Sequence, residues 1–257
     1  MKPSIWYSAY DNNDYKGQES SFYDPKQFKW AKEILAHKEV IEKELSEYLQ
    51  TKEKFDPYFN QSLTSEKNKW KTIGLKFWSI NNFSNQKKFP KTTEIINGIP
   101  ELYSASFNKL EAGASIRSHC GDTNAIFRCH LGIYIPADLP KCGFKVGDEQ
   151  QSWKKGELLI FCDAKRHEAW NLSEKDRYIF LFDIMRDEFD QQKKRVVSTV
   201  LSFLFLQKVA LFFVFLFRIQ DPQKIERIPR KWIRPLIFIL RPFALVAAWY
   251  ANKRRIY

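Results

Sequence analysis

From Tyr103 onward the apolar residues alternate with polar ones, and runs of this kind are repeatedly cut by turns. Tyr103–Leu110, Ile116–His119, Phe127–Ile135, Leu158–Cys162 and Tyr178–Ile184 are rich in β-formers. Cys142, Phe144 and Val146 add another alternating run. A side-chain period of two puts successive residues on opposite faces of a strand. Gly113, Pro136 and Gly147-Asp148 lie where these runs stop. Many short strands at this spacing close into an all-β sandwich or barrel. The expected fold is mainly β, a double-stranded β-helix (jelly roll) over 103–187, with helical support at 24–100.

The support begins with Asp24-Pro25, a helix cap followed by proline at the first helical position. Trp30, Ile34, His37, Ile41, Leu45 and Tyr48 then recur at spacings of three and four. This predicts one amphipathic helix with His37 partly buried on its apolar face. Residues 51–68 and Asn81–Lys91 read as polar loops, Trp70–Ser79 as a strand and Thr92–Ile96 as a short helix.

Net charge separates the body from the tail. The formal charge is +12, and residues 191–257 hold 14 of the 42 Lys+Arg but only 2 of the 30 Asp+Glu. Residues 1–190 are therefore neutral, with 28 of each sign. The tail carries two apolar stretches, Val196–Phe217 and Trp232–Ala251, separated by the basic connector Arg218–Lys231 and closed by Lys253-Arg254-Arg255. Basicity interleaved with apolar runs points to a membrane surface rather than to nucleic acid. Lys208 and Arg241 interrupt the two stretches, and basic residues flank both. The segments are therefore expected to lie in or dip into one leaflet. The predicted organisation is a domain at 1–190 and a membrane-associating region at 191–257, whose deletion should release a folded domain.

Met1–Asn13 contains no apolar run, so no secretory leader is expected there. The cysteines Cys120, Cys129, Cys142 and Cys162 form no CxxC pair. They read as reduced thiols in a cytosolic compartment, without zinc-ribbon spacing.

Three of the four histidines lie between His119 and Arg177. His119 ends one predicted strand and His167 follows another, and such positions converge at the mouth of a jelly roll. Imidazole is the commonest protein ligand for first-row transition metals. Arg128 and His130, two apart, share a face, and an inward arginine needs an anion. Arg177 starts a further strand. Two inward arginines beside two candidate ligands suit a metal-bound dicarboxylate. The same pattern also fits arginines paired with buried acids and histidines that are simply core.

The run from Leu110 to Arg177 resembles the aspartyl/asparaginyl β-hydroxylases, a family of iron(II)- and 2-oxoglutarate-dependent oxygenases. The resemblance is carried by His119-Cys120-Gly121, Thr123-Asn124, Arg128-Cys129-His130-Leu131-Gly132, Leu158–Phe161, His167-Glu168-Ala169-Trp170 and Arg177. It implies His119 and His167 as iron ligands and Arg177 as the clamp for the distal carboxylate of 2-oxoglutarate. Arg128 and His130 would lie near the iron-bound end of that molecule or near the substrate. Asn108 stands where the family often has a serine that helps hold the cosubstrate. Gly121 occupies the place of the usual third, carboxylate ligand, a lack the family shares. Asp122 is one residue off and points away.

The resemblance implies a hydroxylase that uses Fe(II), 2-oxoglutarate and O2. Its product is hydroxylated at an unactivated carbon, with succinate and CO2 as co-products. The substrate is either the β-carbon of Asp or Asn in a peptide or an acyl chain of a membrane lipid. The tail favours the lipid, with the catalytic domain at the cytoplasmic face. The alternative is a non-catalytic, cupin-like module that binds a metal or dicarboxylate at a membrane. Trp170, Phe161 and Phe180 are candidate pocket walls.

Overall fold

The structure, a computed structural model, describes residues 4–10, 14–216 and 230–253. Most of the basic connector Arg218–Lys231, the Arg254-Arg255 pair and half of the Met1–Asn13 stretch lie outside the described residues.

Two short helices open the body, α1 (Lys29–Ala36) and α2 (Lys38–Leu49). The single helix expected from the apolar spacing is broken at His37, whose ψ of 11° leaves the helical range. His37 is exposed, not partly buried, because the break turns it out of the apolar stripe. Ala31, Ile34, Ile41 and Leu45 keep that stripe fully buried across the break.

Next come β1 (Asp56–Pro57), β2 (Trp70–Phe77), β3 (Ile80–Asn81), α3 (Phe83–Gln86) and α4 (Pro90–Asn97). The stretch read as a loop at Asn81–Lys91 contains α3, capped by the Asn82 side chain accepting from the Asn85 N–H. A one-turn helix has no apolar period to reveal it. The α4 N-terminus is satisfied from a distance: the Glu44 carboxylate on α2 accepts from the N–H groups of Lys91 and Thr92 at 2.9 and 2.7 Å. Free N–H groups at a helix start need such a partner when buried.

The barrel strands are β4 (Leu102–Leu110), β5 (Ala114–His119), β6 (Ile126–Tyr134), β7 (Cys142–Val146), β8 (Glu149–Gln151), β9 (Leu158–Cys162), β10 (His167–Asn171) and β11 (Arg177–Met185). The larger sheet runs β1-β2-β4-β11-β6-β9, with β3 on β2, and the smaller runs β5-β10-β7-β8. All pairs are antiparallel. Two facing antiparallel sheets with supporting helices make the jelly roll that the alternation predicts.

Each face of the larger sheet has its own core. Phe107, Cys129, Leu131, Ile160, Phe180 and Phe182 face the helices. Leu110, Phe161 and Ile179 face the smaller sheet with Phe144, Val146 and Trp153. Phe180, expected as a pocket wall, is therefore core under the helices. One residue's shift along a strand changes the face.

The chain ends in α5 (Lys193–Leu216) and α6 (Arg230–Lys253). They are not a detached appendage. Val196, Val200, Leu201, Leu204 and Ile237 share a buried cluster with Tyr7, Trp78, Ile126, Met185 and Phe189. Asn252 seals the contact, its Oδ1 accepting from the Asn81 N–H at 2.9 Å and its Nδ2 donating to the Ser79 carbonyl at 2.7 Å. Arg241 turns inward, donating to Ser198 Oγ on α5 at 3.1 Å. The residue that argued against burying α6 in lipid thus has a protein partner.

Candidate active site

The site lies between the two sheets, and each sheet supplies one half of it. His119 on β5 and His167 on β10 are register partners, with ring centroids 4.3 Å apart. A bulge makes this possible. Counting from the buried Ile116, strict alternation would turn His119 outward. Ala169 pairs with Ile116 while His167 pairs with His119, so β5 carries one extra residue in this interval. A bulge of this kind bends the strand and re-aims the side chain.

Both imidazoles are fixed in one tautomer. His119 Nδ1 lies 2.8 Å from the Arg117 carbonyl and His167 Nδ1 lies 2.7 Å from the Lys165 carbonyl. A carbonyl only accepts, so each Nδ1 carries the proton and each Nε2 presents a lone pair. That is the arrangement of metal-bound histidine, in which the second nitrogen orients the ring. Burial pushes the His119 imidazolium down to about 4, and burial with the neighbouring His119 pushes His167 well below its ordinary value. Both are neutral at pH 7, as ligands must be.

Among the described residues no cluster of three His, Cys, Asp or Glu side chains has metal-binding geometry. Gly121 also has no room for a carboxylate. A Cβ there would stand 1.9 Å from Asp163 Oδ2, and the Asp122 N–H donates to that oxygen at 3.1 Å.

The larger sheet contributes Arg177, His130, Arg128 and Asn108, which line one small cavity with both histidines. Arg177 is 1% exposed, and no ion pair forms to it among the described residues. Its guanidinium stacks 4.4 Å from the Trp153 ring centroid, and its Nε has no hydrogen-bond partner. Burial brings its pKa down to about 10, so it stays charged at neutral pH. A buried, unpaired guanidinium is costly without an anion. His130 accepts from Trp153 Nε1 through Nδ1 at 3.3 Å, which leaves Nε2–H as a donor.

Arg128 differs from Arg177. It donates to both oxygens of its register partner Asp183, at 2.8 and 3.0 Å, and meets Asp163 Oδ1 at 2.6 Å. Of the two arginines, this one is compensated by buried acids. Its guanidinium cements β6, β9 and β11 beneath the cavity. Burial raises the Asp163 carboxyl above the usual carboxylate range despite that contact. Asn108 is braced on both sides: Oδ1 accepts from Trp70 Nε1 at 3.1 Å, and Nδ2 donates to Ser106 Oγ at 2.8 Å. Its Nδ2 also donates to the Ser106 carbonyl at 3.4 Å.

Of the walls named from sequence, Phe161 is core behind the site: it is fully buried and its ring centroid lies 5.0 Å from that of His167, but it does not line the cavity. Trp170 is not a wall either; it lies on the outer side of β10 and donates to the Pro140 carbonyl at 2.8 Å. Thr123 and Asn124 stand outside the site. Thr123 bridges Tyr7, and Asn124 holds Trp6 and Ser4. The sequence alone did not single out Asp163, Asp183, Trp153 or Trp70. Asp183 was open to inference, since a buried arginine on a central strand needs an acid across the ladder.

The family model described as aspartyl/asparaginyl beta-hydroxylase matches residues 36–187, more than half of the chain. An ornithine lipid ester-linked acyl 2-hydroxylase of Rhizobium tropici is 32% identical over 169 residues, covering 64% of this chain and 60% of that protein. The aspartyl/asparaginyl beta-hydroxylase of Homo sapiens is 29% identical over 140 residues, 52% of this chain and 18% of that protein. The chain thus spans less than two thirds of either relative. A solved oxidoreductase of the 2OG-Fe(II) oxygenase family from Burkholderia pseudomallei aligns with a TM-score of 0.39 at 12% identity, over 56% of this chain and 78% of that one.

Proposed function

The chain belongs to the aspartyl/asparaginyl β-hydroxylase family, a family of hydroxylases, and from that premise we propose that it is an Fe(II)- and 2-oxoglutarate-dependent enzyme that hydroxylates an acyl chain of a membrane lipid. The observation that carries the reading is the pairing of two Nε2-presenting histidines with an uncompensated, fully buried Arg177 in one cavity.

His119 and His167 would hold the iron, and Arg177 would take the distal carboxylate of 2-oxoglutarate, a planar fork against a planar anion. When bound, Fe(II) with 2-oxoglutarate and O2 supplies the oxidising power that converts C–H to C–OH, yielding succinate and CO2. The Nε2–H of His130 offers a neutral donor to a carboxylate oxygen of the same molecule. Arg128 acts as a positioning residue, tying Asp163 behind Gly121 to Asp183 on β11. Ile116, Phe144 and Ile179, which line the cavity, keep water from the reacting carbon.

The lipid substrate is supported by the Rhizobium tropici relative and by α6, whose Ile233–Lys253 stretch is long and apolar enough to cross a membrane. A second reading, hydroxylation of the β-carbon of Asp or Asn in a peptide, is favoured by the human relative. All four cysteines are free, which suits a catalytic body at the cytoplasmic face. The test is turnover by the purified full chain with Fe(II), 2-oxoglutarate and O2, in the presence of lipid vesicles or of Asp/Asn peptides. Succinate formation stimulated by vesicles supports the lipid reading. Stimulation by peptides alone transfers the proposal to the second reading, and no succinate under any condition overturns both.

A further inference from the structure

Three cavities meet end to end in this molecule. The small one between the histidines and Arg177 opens into a cleft of about 370 Å³, with Trp70, Asn108 and Arg128 common to both. That cleft in turn meets a groove of about 470 Å³ between the β2–β3 edge and the α5–α6 pair, with Phe77 and Leu204 in both walls. The three cavities thus lie in series, joined by shared walls, from His119 and His167 to the C-terminal helices.

Its chemistry changes along the way. The cleft wall is mixed, with Thr72, Lys76, Ser104 and Asp183 among its polar members. Lys76 is half-buried there, and no carboxylate pairs with it among the described residues. The groove is apolar except for Ser202 and the exposed Lys208. An occupant with a polar end and an aliphatic tail matches this order; a peptide backbone in the groove would leave its amides without partners.

The groove wall reaches the apolar surface of α6, since Phe243 in that wall is 67% exposed. Phe238, Val246 and Trp249 on α6 are 73%, 63% and 57% exposed. Exposed apolar patches of this kind mark protein or membrane contacts. A lipid that leaves the bilayer at α5–α6 would enter the path at its apolar end.

We propose that α5 and α6 form the wall of an acyl-chain channel, in which a membrane lipid lies with its polar end in the cleft and its hydrocarbon tail between Phe77, Leu204, Leu240 and Ala244. On this account Phe77 and Leu204 form the passage between groove and cleft. The segment after Asp190 thus determines which lipids reach the histidines, besides holding the protein at the membrane. The proposal rests on the lipid reading above for the identity of the reacting molecule, but its test needs neither iron nor turnover.

The full chain is bound to vesicles of phosphatidylethanolamine and phosphatidylglycerol doped with a phospholipid that carries a diazirine on one acyl chain. The diazirine sits at the chain end in one probe and near the carboxyl end in another. After irradiation and digestion, adducts are mapped by mass spectrometry. The expected result is graded: the chain-end probe labels Leu240 and Ala244, and the other labels Phe77 and Leu204. Labelling confined to the outward residues Phe238, Val246 and Trp249 with both probes overturns the proposal. A second arm uses Ala244→Trp, which fills the groove. It should lower labelling at Phe77 and Leu204 at least tenfold while the outward residues are labelled as before; undiminished inner labelling contradicts the channel. Absence of succinate formation would bear on the oxygenase reading and leave these labelling patterns to decide the channel.

Discussion

His119 and His167 stand opposite each other in the β5–β10 ladder, each with Nδ1 against the carbonyl two residues before it. The two i−2 carbonyls make the pair a matched set of Nε2 donors. Replacing either histidine with alanine should weaken Mn(II) or Fe(II) binding by more than ~100-fold, beyond the 10–100-fold typical of outer partners alone. Titration with Mn(II) followed by electron paramagnetic resonance measures this. Retained micromolar binding in either variant would show that the pair is not the metal site.

Arg177 makes a prediction with two opposite signs. Arg177→Met should raise the 2-oxoglutarate requirement by ~10–100-fold, the size of a lost charge-assisted hydrogen bond. The same change should raise the melting temperature of the protein without cosubstrate, because it removes an unpaired buried charge and leaves an apolar side chain to pack against Trp153. Adding 2-oxoglutarate should stabilise the parent and not the variant. Equal stabilisation of both, read by thermal denaturation, would rule out the clamp.

For Arg128 the expectation is structural. Asp183→Asn removes one of its two buried carboxylates and should destabilise the fold by ~3–5 kcal/mol, measured by urea denaturation. A loss under ~1 kcal/mol would mean that Arg128 is not the tie between β6, β9 and β11.

These residues also show how far the sequence could be read. Alternation from Tyr103 identified six of the eight barrel strands, missing β8 and β10, and put Arg128, His130 and Arg177 on inward faces, because period two is a local property. The inward aim of His119 depends on a bulge, which alternation alone does not reveal. The pairing of Arg128 with Asp183 spans 55 residues and becomes visible only when β6 and β11 are set in register. The break at His37 leaves the helical apolar period intact, so the sequence read two helices as one. The expected division at 190 follows a real change in charge, yet α5 packs on the body through Val196, Val200 and Leu204. Composition does not report such packing.

That packing reverses one expectation. Deleting 191–257 should not release a well-folded domain; it uncovers Trp78, Ile126, Met185 and Phe189. The truncated protein should aggregate or bind a hydrophobic dye, with a lowered melting temperature. A soluble, dye-negative product with the parent melting temperature would mean that the tail helices contribute nothing to the core.

The metal-free protein should lose stability on acidification from pH 6.5 toward 4.5. His119 is depressed to about 4 and His130 and His167 lie well below their ordinary value, all three chiefly through burial. In that window the unfolded chain binds protons at these residues and the folded chain does not, so their contribution is full above 6.5 and fades as pH falls. Asp122 and Asp163, raised by burial, act in the opposite sense but are fewer. Urea midpoints at pH 7 and pH 5 test the sign; a higher midpoint at pH 5 would contradict the neutral, buried imidazoles.

The most direct test follows both atoms of O2. The full chain in lipid vesicles is supplied with Fe(II), 2-oxoglutarate and ¹⁸O2, and lipids and organic acids are analysed by mass spectrometry. The expected outcome is one labelled hydroxyl on an acyl chain for each succinate carrying one labelled oxygen. Lipids without label, or succinate formed without any oxygenated product in lipid or added peptide, would contradict the proposed hydroxylation.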